Sequence, residues 1–163
     1  IDGQLAAYLE NGLANPLLYK IAHDIKTSLP EIFGSLPLTQ VWAFKNLDGN
    51  QGIDFHADSG AVSLNFWITP DEANLEPGQG GLLINETPPP QNWKLNNYYE
   101  DAKLIEEYLY KTGGKTQSIP YRENRAVIFK SELFHKSDVV NFKSGYKNHR
   151  INITMIFGYG DLT

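Results

Sequence analysis

The sequence predicts a mainly β fold, a sandwich or a barrel, with helices at its amino-terminal end. Apolar residues recur at helical spacing in the first third of the chain. From Leu38 onward, short runs with the alternation of β-strands are separated by turn residues such as Asp48-Gly49-Asn50. A length of 163 residues fits one domain around one core, so we expect residues 1–163 to form a single domain.

Two helices are predicted within residues 1–37. The clearer one begins after Asn15, a good capping residue, has Pro16 at its first position and ends before Pro30. Its apolar positions are Leu18, Ile21, Ile25 and Leu29. A shorter helix is predicted over Ile1 to Glu10, where two leucines lie four residues apart.

Six or more short strands are predicted within residues 38–163. The segments are Val41–Lys45, Gly52–His56, Ala61–Thr69, Gly81–Asn85, Ala126–Lys130 and Arg150–Phe157. The third segment places Ser63, Asn65 and Trp67 on one face, which carries the polar residues, and Leu64, Phe66 and Ile68 on the other, apolar face. We expect helices to cover the apolar face and a polar pocket to lie against the other, which makes Asn65 a candidate pocket residue or a structural hydrogen-bonding group.

One segment, about 88–118, interrupts the strands and is predicted to be an insert. It opens with three consecutive prolines, continues into a helical pattern and ends at Gly113-Gly114. A packing helix and a lid over a pocket are both compatible with this pattern.

The triplet His56-Ala57-Asp58 and the distant His135 predict a metal site. Residues two apart on a strand point to the same side, so His56 and Asp58 can act together, and His135 follows another predicted strand. Two imidazoles and one carboxylate on one face of an octahedral ion leave three adjacent positions open, the arrangement typical of non-haem iron(II) oxygenases. The chain has no cysteine, which excludes sulfur ligands.

The last predicted strand alternates between Arg150, Asn152 and Thr154 on one face and apolar residues on the other. A solvated polar face is one interpretation. The other is a carboxylate-binding face inside a barrel, because a guanidinium offers a planar fork of donors and Asn152 and Thr154 add further hydrogen-bonding groups. The opposite apolar face would then pack under the N-terminal helices.

These residues resemble the 2-oxoglutarate and iron(II)-dependent dioxygenase superfamily, whose pattern is His-x-Asp, a distant His and a basic residue on a late strand. The match covers about Val41 to Gly158. Two runs, LNFWITPDEANLEPGQGGLLI and NRAVIFKSELF, look similar to the prolyl-hydroxylase and phytanoyl-CoA-hydroxylase-like branches.

The resemblance implies a double-stranded β-helix, the jelly-roll fold also found in cupins. It implies that His56, Asp58 and His135 bind Fe(II) and form the catalytic centre, and that Arg150 grips the distal carboxylate of 2-oxoglutarate. Asn152, Asn65 and Thr154 are the further candidates for the 2-oxoglutarate pocket. The implied reaction hydroxylates an unactivated C–H bond and releases succinate and CO2. Halogenation is disfavoured, because related halogenases leave the Asp58 position without a carboxylate.

Several residues compete with this assignment. Arg150 lies fifteen residues after His135, a wider gap than in many relatives, which predicts an extended turn over Val139 to Asn148. Lys143 or Lys147 would replace Arg150 if that prediction is wrong. Three other residues are expected to be structural or exposed: Asp54, His149 and His23. The aromatic candidates for a substrate pocket are Trp42, Trp67, Trp93, Tyr98 and Tyr99.

The charge and the apolar content of the chain limit the kinds of binding partner and substrate that we expect. The formal charge of −5, without a Lys/Arg cluster, disfavours nucleic acid and anionic membranes. No apolar run reaches the length of a membrane span, so we expect a cytoplasmic protein. We expect its substrate to be a small molecule or an amino-acid or peptide side chain. Two alternatives stay open: a cupin-like metal-dependent isomerase or hydrolase that does not use 2-oxoglutarate, and a non-catalytic barrel that binds ligands.

Overall fold

The structure, a computed structural model, describes residues 3–93, 97–98 and 101–159. The helices with described bounds are α1 (Pro16–Ser28), α2 (Pro30–Phe33) and α3 (Ala102–Thr112), and two 3-10 helices span Leu9–Asn11 and Asp71–Ala73. The strands are β1 (Gln4–Tyr8), β2 (Leu38–Asn46), β3 (Val62–Trp67), β4 (Leu82–Asn85), β5 (Thr116–Ile119), β6 (Ala126–Lys130), β7 (His135–Ser137) and β8 (Ile151–Phe157).

The strands form two antiparallel sheets. The larger sheet has the order β1-β2-β8-β3-β6, and the smaller sheet has the order β5-β4-β7. Apolar side chains from both sheets pack together in one cluster, which includes Trp67 from the larger sheet and Leu82 and Ile84 from the smaller one. The two sheets therefore face each other, and the mainly β prediction is confirmed.

Helix α1 begins and ends where the sequence predicts. The Asn15 side chain accepts a hydrogen bond of 3.1 Å from the Leu18 amide, and Pro16 is the first helical residue. The helix ends at Ser28, two residues before Pro30, because the residue before a proline disfavours helical geometry. Leu18 and Ala22 are its buried residues.

The outer face of the larger sheet packs against this helical region. The cluster consists of Leu18, Ala22, Phe33, Val41, Leu64, Met155 and Phe157, all buried. Val41 pairs with Met155, and Leu64 pairs with Met155 from the other side, so β8 is the central strand of this layer. The predicted packing of the apolar face of the last strand under the N-terminal helices is confirmed.

Two predicted elements are wrong. Residues 4–8, expected to be helical, form β1 and pair with β2 from Gln4↔Asn46 to Tyr8↔Trp42, because an isolated short helix is marginal and edge pairing satisfies the backbone. Gly52–His56 is not a strand. Its Ile53 amide donates to the Ser137 hydroxyl at 3.0 Å instead of to a strand ladder, and only His56 forms an isolated bridge.

The predicted insert contains helix α3 followed by β5. Asp101 caps the helix by accepting from the Leu104 amide at 3.0 Å, and Gly113 ends it in the left-handed conformation. The buried residues Ile105 and Leu109 pack with Phe55 and Phe134, so α3 is a packing helix beside the smaller sheet. No helix within the described residues is long and apolar enough to cross a membrane.

Candidate active site

The structure brings the three predicted metal ligands together. One ligand atom from each of His56, Asp58 and His135 lies within 4.8 Å of the others. His56 Nε2 is 3.8 Å from Asp58 Oδ1, and His135 Nε2 is 3.6 Å from Asp58 Oδ2. Asp58 and His135 are buried and His56 is partly exposed, so the cluster is open on one side.

Backbone hydrogen bonds fix the positions of these ligands. The His56 amide donates to the His135 carbonyl at 3.0 Å, and the His135 amide donates to the His56 carbonyl at 2.9 Å. The Asp58 amide donates to the Ser131 carbonyl at 2.8 Å. The segment 56–58 is therefore held against β7 and the turn before it, although it is not itself a strand.

Both imidazoles are in the tautomer that a metal ion needs. His56 Nδ1 lies 2.8 Å from the Asp54 carbonyl oxygen, and His135 Nδ1 lies 2.9 Å from the Leu133 carbonyl oxygen. A carbonyl oxygen only accepts, so each Nδ1 carries a proton, and Nε2 is the ring nitrogen directed toward Asp58. Hydrogen bonds of this kind orient metal-ligating histidines.

The protonation state of His135 also suits metal binding. Desolvation by burial, aided by the neighbouring His56, lowers the pKa of His135 to about 4, although Asp58 and the Leu133 carbonyl act in the opposite direction. At neutral pH the ring is therefore neutral, and its Nε2 is free to bind an ion.

Two serines support the carboxylate. The Ser63 hydroxyl donates to Asp58 Oδ2 at 2.8 Å, and Ser63 Oγ lies 2.9 Å from Ser131 Oγ. Because the Ser63 hydroxyl has one proton, Ser131 donates to Ser63 in the second bond. Both serines are fully buried. Sequence reasoning placed Ser63 on the polar face of its strand but gave neither serine a role, and the two-residue spacing from Asn65 was the signal that pointed to Ser63.

The Arg150 side chain is buried, with 2% of its surface exposed. Its Nε donates to the Gly80 carbonyl at 2.6 Å, its Nη2 donates to the Gly81 carbonyl at 3.2 Å, and its Nη1 donates to Asn152 Oδ1 at 3.1 Å and to Asn46 Oδ1 at 3.3 Å. These acceptors are neutral. No described carboxylate lies within ion-pair distance of the guanidinium.

The charge on Arg150 persists despite its burial. Desolvation lowers the pKa of Arg150 to about 10, and the more distant Tyr121 and Asp138 act in the opposite direction. The side chain is therefore cationic at neutral pH. A buried cation without an anionic partner is costly, which makes this position suited to an anionic ligand.

One cavity of about 30 Å³, here called the inner cavity, joins the metal-ligand cluster to Arg150. It is lined by Trp42, Ile53, His56, Asp58, Asn65, Leu82, His135, Ser137, Arg150, Asn152 and Thr154. Residues of both sheets take part, so the cavity lies between the sheets. All seven predicted site residues line it.

The three polar residues predicted beside Arg150 and the metal ligands are buried here. Asn65 Nδ2 donates to Thr154 Oγ1 at 3.0 Å, and Asn152 accepts from Arg150. The Asn65 Oδ1 atom, an acceptor, has no hydrogen-bond partner among the described residues although it is buried. Since an unpaired buried polar atom costs about 1–3 kcal/mol, this oxygen is a group that a hydrogen-bond donor in the inner cavity would satisfy.

Two larger cavities adjoin the inner one. The outer cavity, about 460 Å³, shares Trp42, Ile53, His56 and Asp58 with it and opens toward β1 and the start of α3. The loop cavity, about 490 Å³, lies on the far side of Arg150. Its lining includes Asn46, Asp48, Asn50, Asn141, His149 and Arg150.

The competing residues lie elsewhere. Lys143 and Lys147 are exposed and line none of these cavities, so they do not replace Arg150. Residues 138–150 connect β7 to β8 without a strand, as the wide spacing predicts. His149 pairs with Asp48 at 3.1 Å, and His23 is exposed on α1. The Asp54 carbonyl oxygen bonds to His56, as expected for a residue that supports a ligand.

The aromatic candidates separate into two groups. Trp42 lines both the inner and the outer cavity. Trp67 is fully buried between the sheets, and Trp93 and Tyr98 pack around Phe134 beside α3. Tyr99 lies outside the described residues.

No protein-family model and no curated protein matches this sequence. Solved structures do match. The non-haem α-ketoglutarate-dependent epimerase SnoN from nogalamycin biosynthesis aligns over 98% of this chain and 66% of its own, with 10% identity and a TM-score of 0.64. HygX from Streptomyces hygroscopicus, solved with nickel and 2-oxoglutarate bound, aligns over 98% and 71%, with 11% identity and a TM-score of 0.58.

A prolyl-4-hydroxylase from Pseudomonas putida aligns over 97% of this chain and 70% of its own, with 16% identity and a TM-score of 0.57. The chain has the fold of these enzymes. It spans about two thirds of the length of SnoN and 35% of the length of another match, EvdMO1.

Proposed function

We propose that this chain is an iron(II)- and 2-oxoglutarate-dependent oxygenase built on a double-stranded β-helix. The observation that carries the proposal is the inner cavity, which is lined both by the His-Asp-His cluster and by a buried guanidinium that has no ion-pair partner among the described residues. The two facing antiparallel sheets around this cavity support the jelly-roll assignment.

The cluster fits iron(II) by its chemistry. His56 and His135 offer imidazole nitrogens and Asp58 offers a carboxylate oxygen, the donor set that suits this ion with open positions left for other ligands. The Ser63–Asp58 hydrogen bond holds the carboxylate in place, and the two carbonyl contacts hold the rings. The three side chains would hold the metal without rearrangement of the backbone.

The opposite end of the cavity fits a carboxylate. Arg150 would neutralise one carboxylate of 2-oxoglutarate while the other end of that molecule faces the metal. A dicarboxylate with a keto group next to one acid has functional groups at both required ends.

The inner cavity must widen as 2-oxoglutarate binds. Its volume of about 30 Å³ holds only a few water molecules, whereas the acid has ten non-hydrogen atoms. Four side chains line both the inner and the outer cavity, and Trp42 and Ile53 are the two that do not belong to the metal cluster. We expect these two side chains to move toward the outer cavity when the acid binds.

Together, iron(II) and 2-oxoglutarate supply an oxidant made from O2, with succinate and CO2 as products. The reaction that we propose is hydroxylation of an unactivated C–H bond of the substrate. The chain itself would bind the two groups, keeps His135 neutral and buries Asp58, His135 and Arg150. The substrate would be a small molecule or an amino-acid or peptide side chain in the outer cavity, which reaches His56 and Asp58.

The test measures binding and turnover separately. Under anaerobic conditions, iron(II) and 2-oxoglutarate together should produce a visible charge-transfer band, and in air the protein should form succinate slowly even without substrate. Asp58→Ala should abolish both signals, whereas the exposed Asp24→Ala should leave them unchanged. Metal binding without any 2-oxoglutarate binding would refute the proposal and favour a cupin-like isomerase or hydrolase.

Binding of neither metal nor 2-oxoglutarate would instead favour a non-catalytic barrel. The matching solved structures include an epimerase and a carbocyclase, so product analysis by mass spectrometry is needed once a substrate is known. A gain of one oxygen atom identifies hydroxylation, and a loss of two hydrogens identifies ring closure.

A further inference from the structure

The outer cavity has an aromatic wall. Trp42 and Phe44 lie on the inner face of β2, two residues apart, and Tyr8 of β1 packs against Phe44 with ring centroids 6.3 Å apart. Phe55 faces the same space from the segment that leads to His56. Four rings therefore surround a space of about 460 Å³, a volume suited to one small ligand.

Among the described residues that line this cavity, Asp54 is the acidic one outside the metal cluster. Its carboxylate has no hydrogen bond or ion pair with any described residue, and no described lysine or arginine lines the cavity. Lys136 lies over the Phe55 ring at 4.6 Å, but it pairs with Glu106 at 3.4 Å. Within the part of the chain that the structure describes, the negative charge of Asp54 is thus left without a partner cation.

The backbone on both sides of Asp54 is fixed. The Ser137 amide donates to the Ile53 carbonyl at 2.8 Å, and the Ser137 hydroxyl accepts from the Ile53 amide. On the other side, His56 is bridged to His135. The backbone of Asp54, whose side chain is exposed, is therefore held in place on both sides.

When the metal and 2-oxoglutarate are bound, the formal charges around them balance one another. Iron(II), Asp58, a bound 2-oxoglutarate dianion and Arg150 cancel in net charge, and Asp54 is the formal charge that remains in the outer cavity. A carboxylate next to aromatic faces attracts an organic cation twice, by ion pairing and by cation–π contact with rings within about 6 Å. A neutral or anionic ligand gains neither.

We propose that the outer cavity binds a small organic cation, an amine or a quaternary ammonium compound, as the substrate. Asp54 pairs with the cationic nitrogen, and Tyr8, Trp42 and Phe44 contact its carbon substituents. The carbon to be attacked lies on the side of the cavity where His56 and Asp58 are found. This inference rests on the proposed oxygenase function for the fate of the substrate, but the cation site itself depends only on residues of the outer cavity.

The test compares cations with neutral molecules of the same shape. Calorimetry would measure choline against 3,3-dimethylbutan-1-ol, and butylammonium against butan-1-ol. Each pair is titrated into the metal-free protein and into protein loaded with zinc(II) and 2-oxoglutarate. We expect at least one cation to bind about three- to ten-fold more tightly than its neutral counterpart.

Asp54→Asn keeps the shape of the side chain and should remove this preference without changing the affinity for the alcohols. Glu72→Gln makes the same charge change on an exposed residue outside the cavity lining and should leave the preference intact. Equal binding of cations and alcohols, no binding of any cation, or an unchanged preference in Asp54→Asn would overturn the cation site. Failure of 2-oxoglutarate binding in the loaded protein would count against the oxygenase function alone, because the metal-free titration does not depend on it.

Discussion

His56 and His135 exchange two backbone hydrogen bonds, of 3.0 and 2.9 Å, and their rings lie 4.3 Å apart. This single antiparallel bridge joins two segments that are 79 residues apart in the sequence. It directs both Nε2 atoms toward Asp58, and both Nδ1 atoms are held by carbonyl oxygens of nearby residues. The metal-free site is therefore already arranged for an ion, with little entropy left to lose on binding.

Ser63→Ala should weaken metal binding. The change removes the hydroxyl that donates to Asp58 Oδ2 and leaves the carboxylate free to rotate. Loss of a hydrogen bond to a metal ligand typically lowers affinity about 10- to 100-fold. Anaerobic calorimetry with iron(II) measures this, and Ser28→Ala, at the exposed end of α1, is the matched control. Unchanged affinity in Ser63→Ala would show that Asp58 is held by other contacts.

Arg150→Lys should abolish most of the stabilisation that 2-oxoglutarate provides. A lysine keeps the positive charge, but its ammonium group cannot reproduce the planar contacts to Gly80, Gly81 and Asn152. At a ligand concentration 100 times Kd, the parent protein gains about 2.7 kcal/mol, measured as a rise in Tm. The exposed Arg122→Lys should retain that rise. A full rise in Arg150→Lys would place the carboxylate elsewhere.

The metal-free protein should lose stability as the pH falls from about 6.5 to about 4. Burial and His56 lower the pKa of His135 to about 4, whereas in the unfolded chain the ring takes up a proton near its ordinary value of 6.5. The unfolded state therefore binds more protons in this window, and the difference integrates to an upper limit on the order of 3 kcal/mol. Above pH 6.5 the full stability is present.

Urea unfolding at a series of pH values measures this loss. His135→Gln should flatten the curve between pH 6.5 and pH 4, and His23→Gln, which changes an exposed histidine on α1, should follow the parent curve. If the parent and His135→Gln have the same pH dependence, another group is responsible.

Gly52→Ala should destabilise the fold and loosen the site. Gly52 has a φ of +88°, and a Cβ there would lie 2.3 Å from the Ser137 Cβ, the side chain whose hydroxyl holds the Ile53 amide. Strain and displacement together should cost roughly 2 kcal/mol or more in free energy of unfolding. Gly49→Ala is the control, since its φ is +80° but nothing lies within 4 Å of the added carbon. Equal losses in the two variants would mean that the contact with Ser137 is unimportant.

The long periodic elements could be predicted from the sequence. Asn15 and Pro16 mark the start of α1 chemically, and the alternation in β3 and β8 separates a helix-facing side from a cavity-facing side. Residues 4–8 could not be predicted in this way, because their conformation is decided by pairing with β2, which lies more than 30 residues later. The three-residue β7 is too short to carry a pattern of its own.

The inner cavity was predictable where residue chemistry is specific. In a chain without cysteine, a metal site must be built from histidine and carboxylate side chains. The two histidines, the aspartate and the arginine that the sequence singles out all line this cavity. Ile53, Leu82 and Ser137 also line it, but isoleucine, leucine and serine are common in strands and loops for reasons of packing. Their role depends on the distance between the two sheets, which no local pattern records.

The two faces of β8 have a consequence for preparing the protein. Arg150, Asn152 and Thr154 face the cavity, while Met155 belongs to the layer under the helices. A slip of one residue in the pairing of this strand would exchange the two sets, placing apolar groups beside the metal ligands and a cation in the core. A chain with that error would lose its core and its ligand sites together. Binding of 2-oxoglutarate by refolded material would therefore report the fraction of molecules with correct strand alignment, and not merely the fraction that is compact.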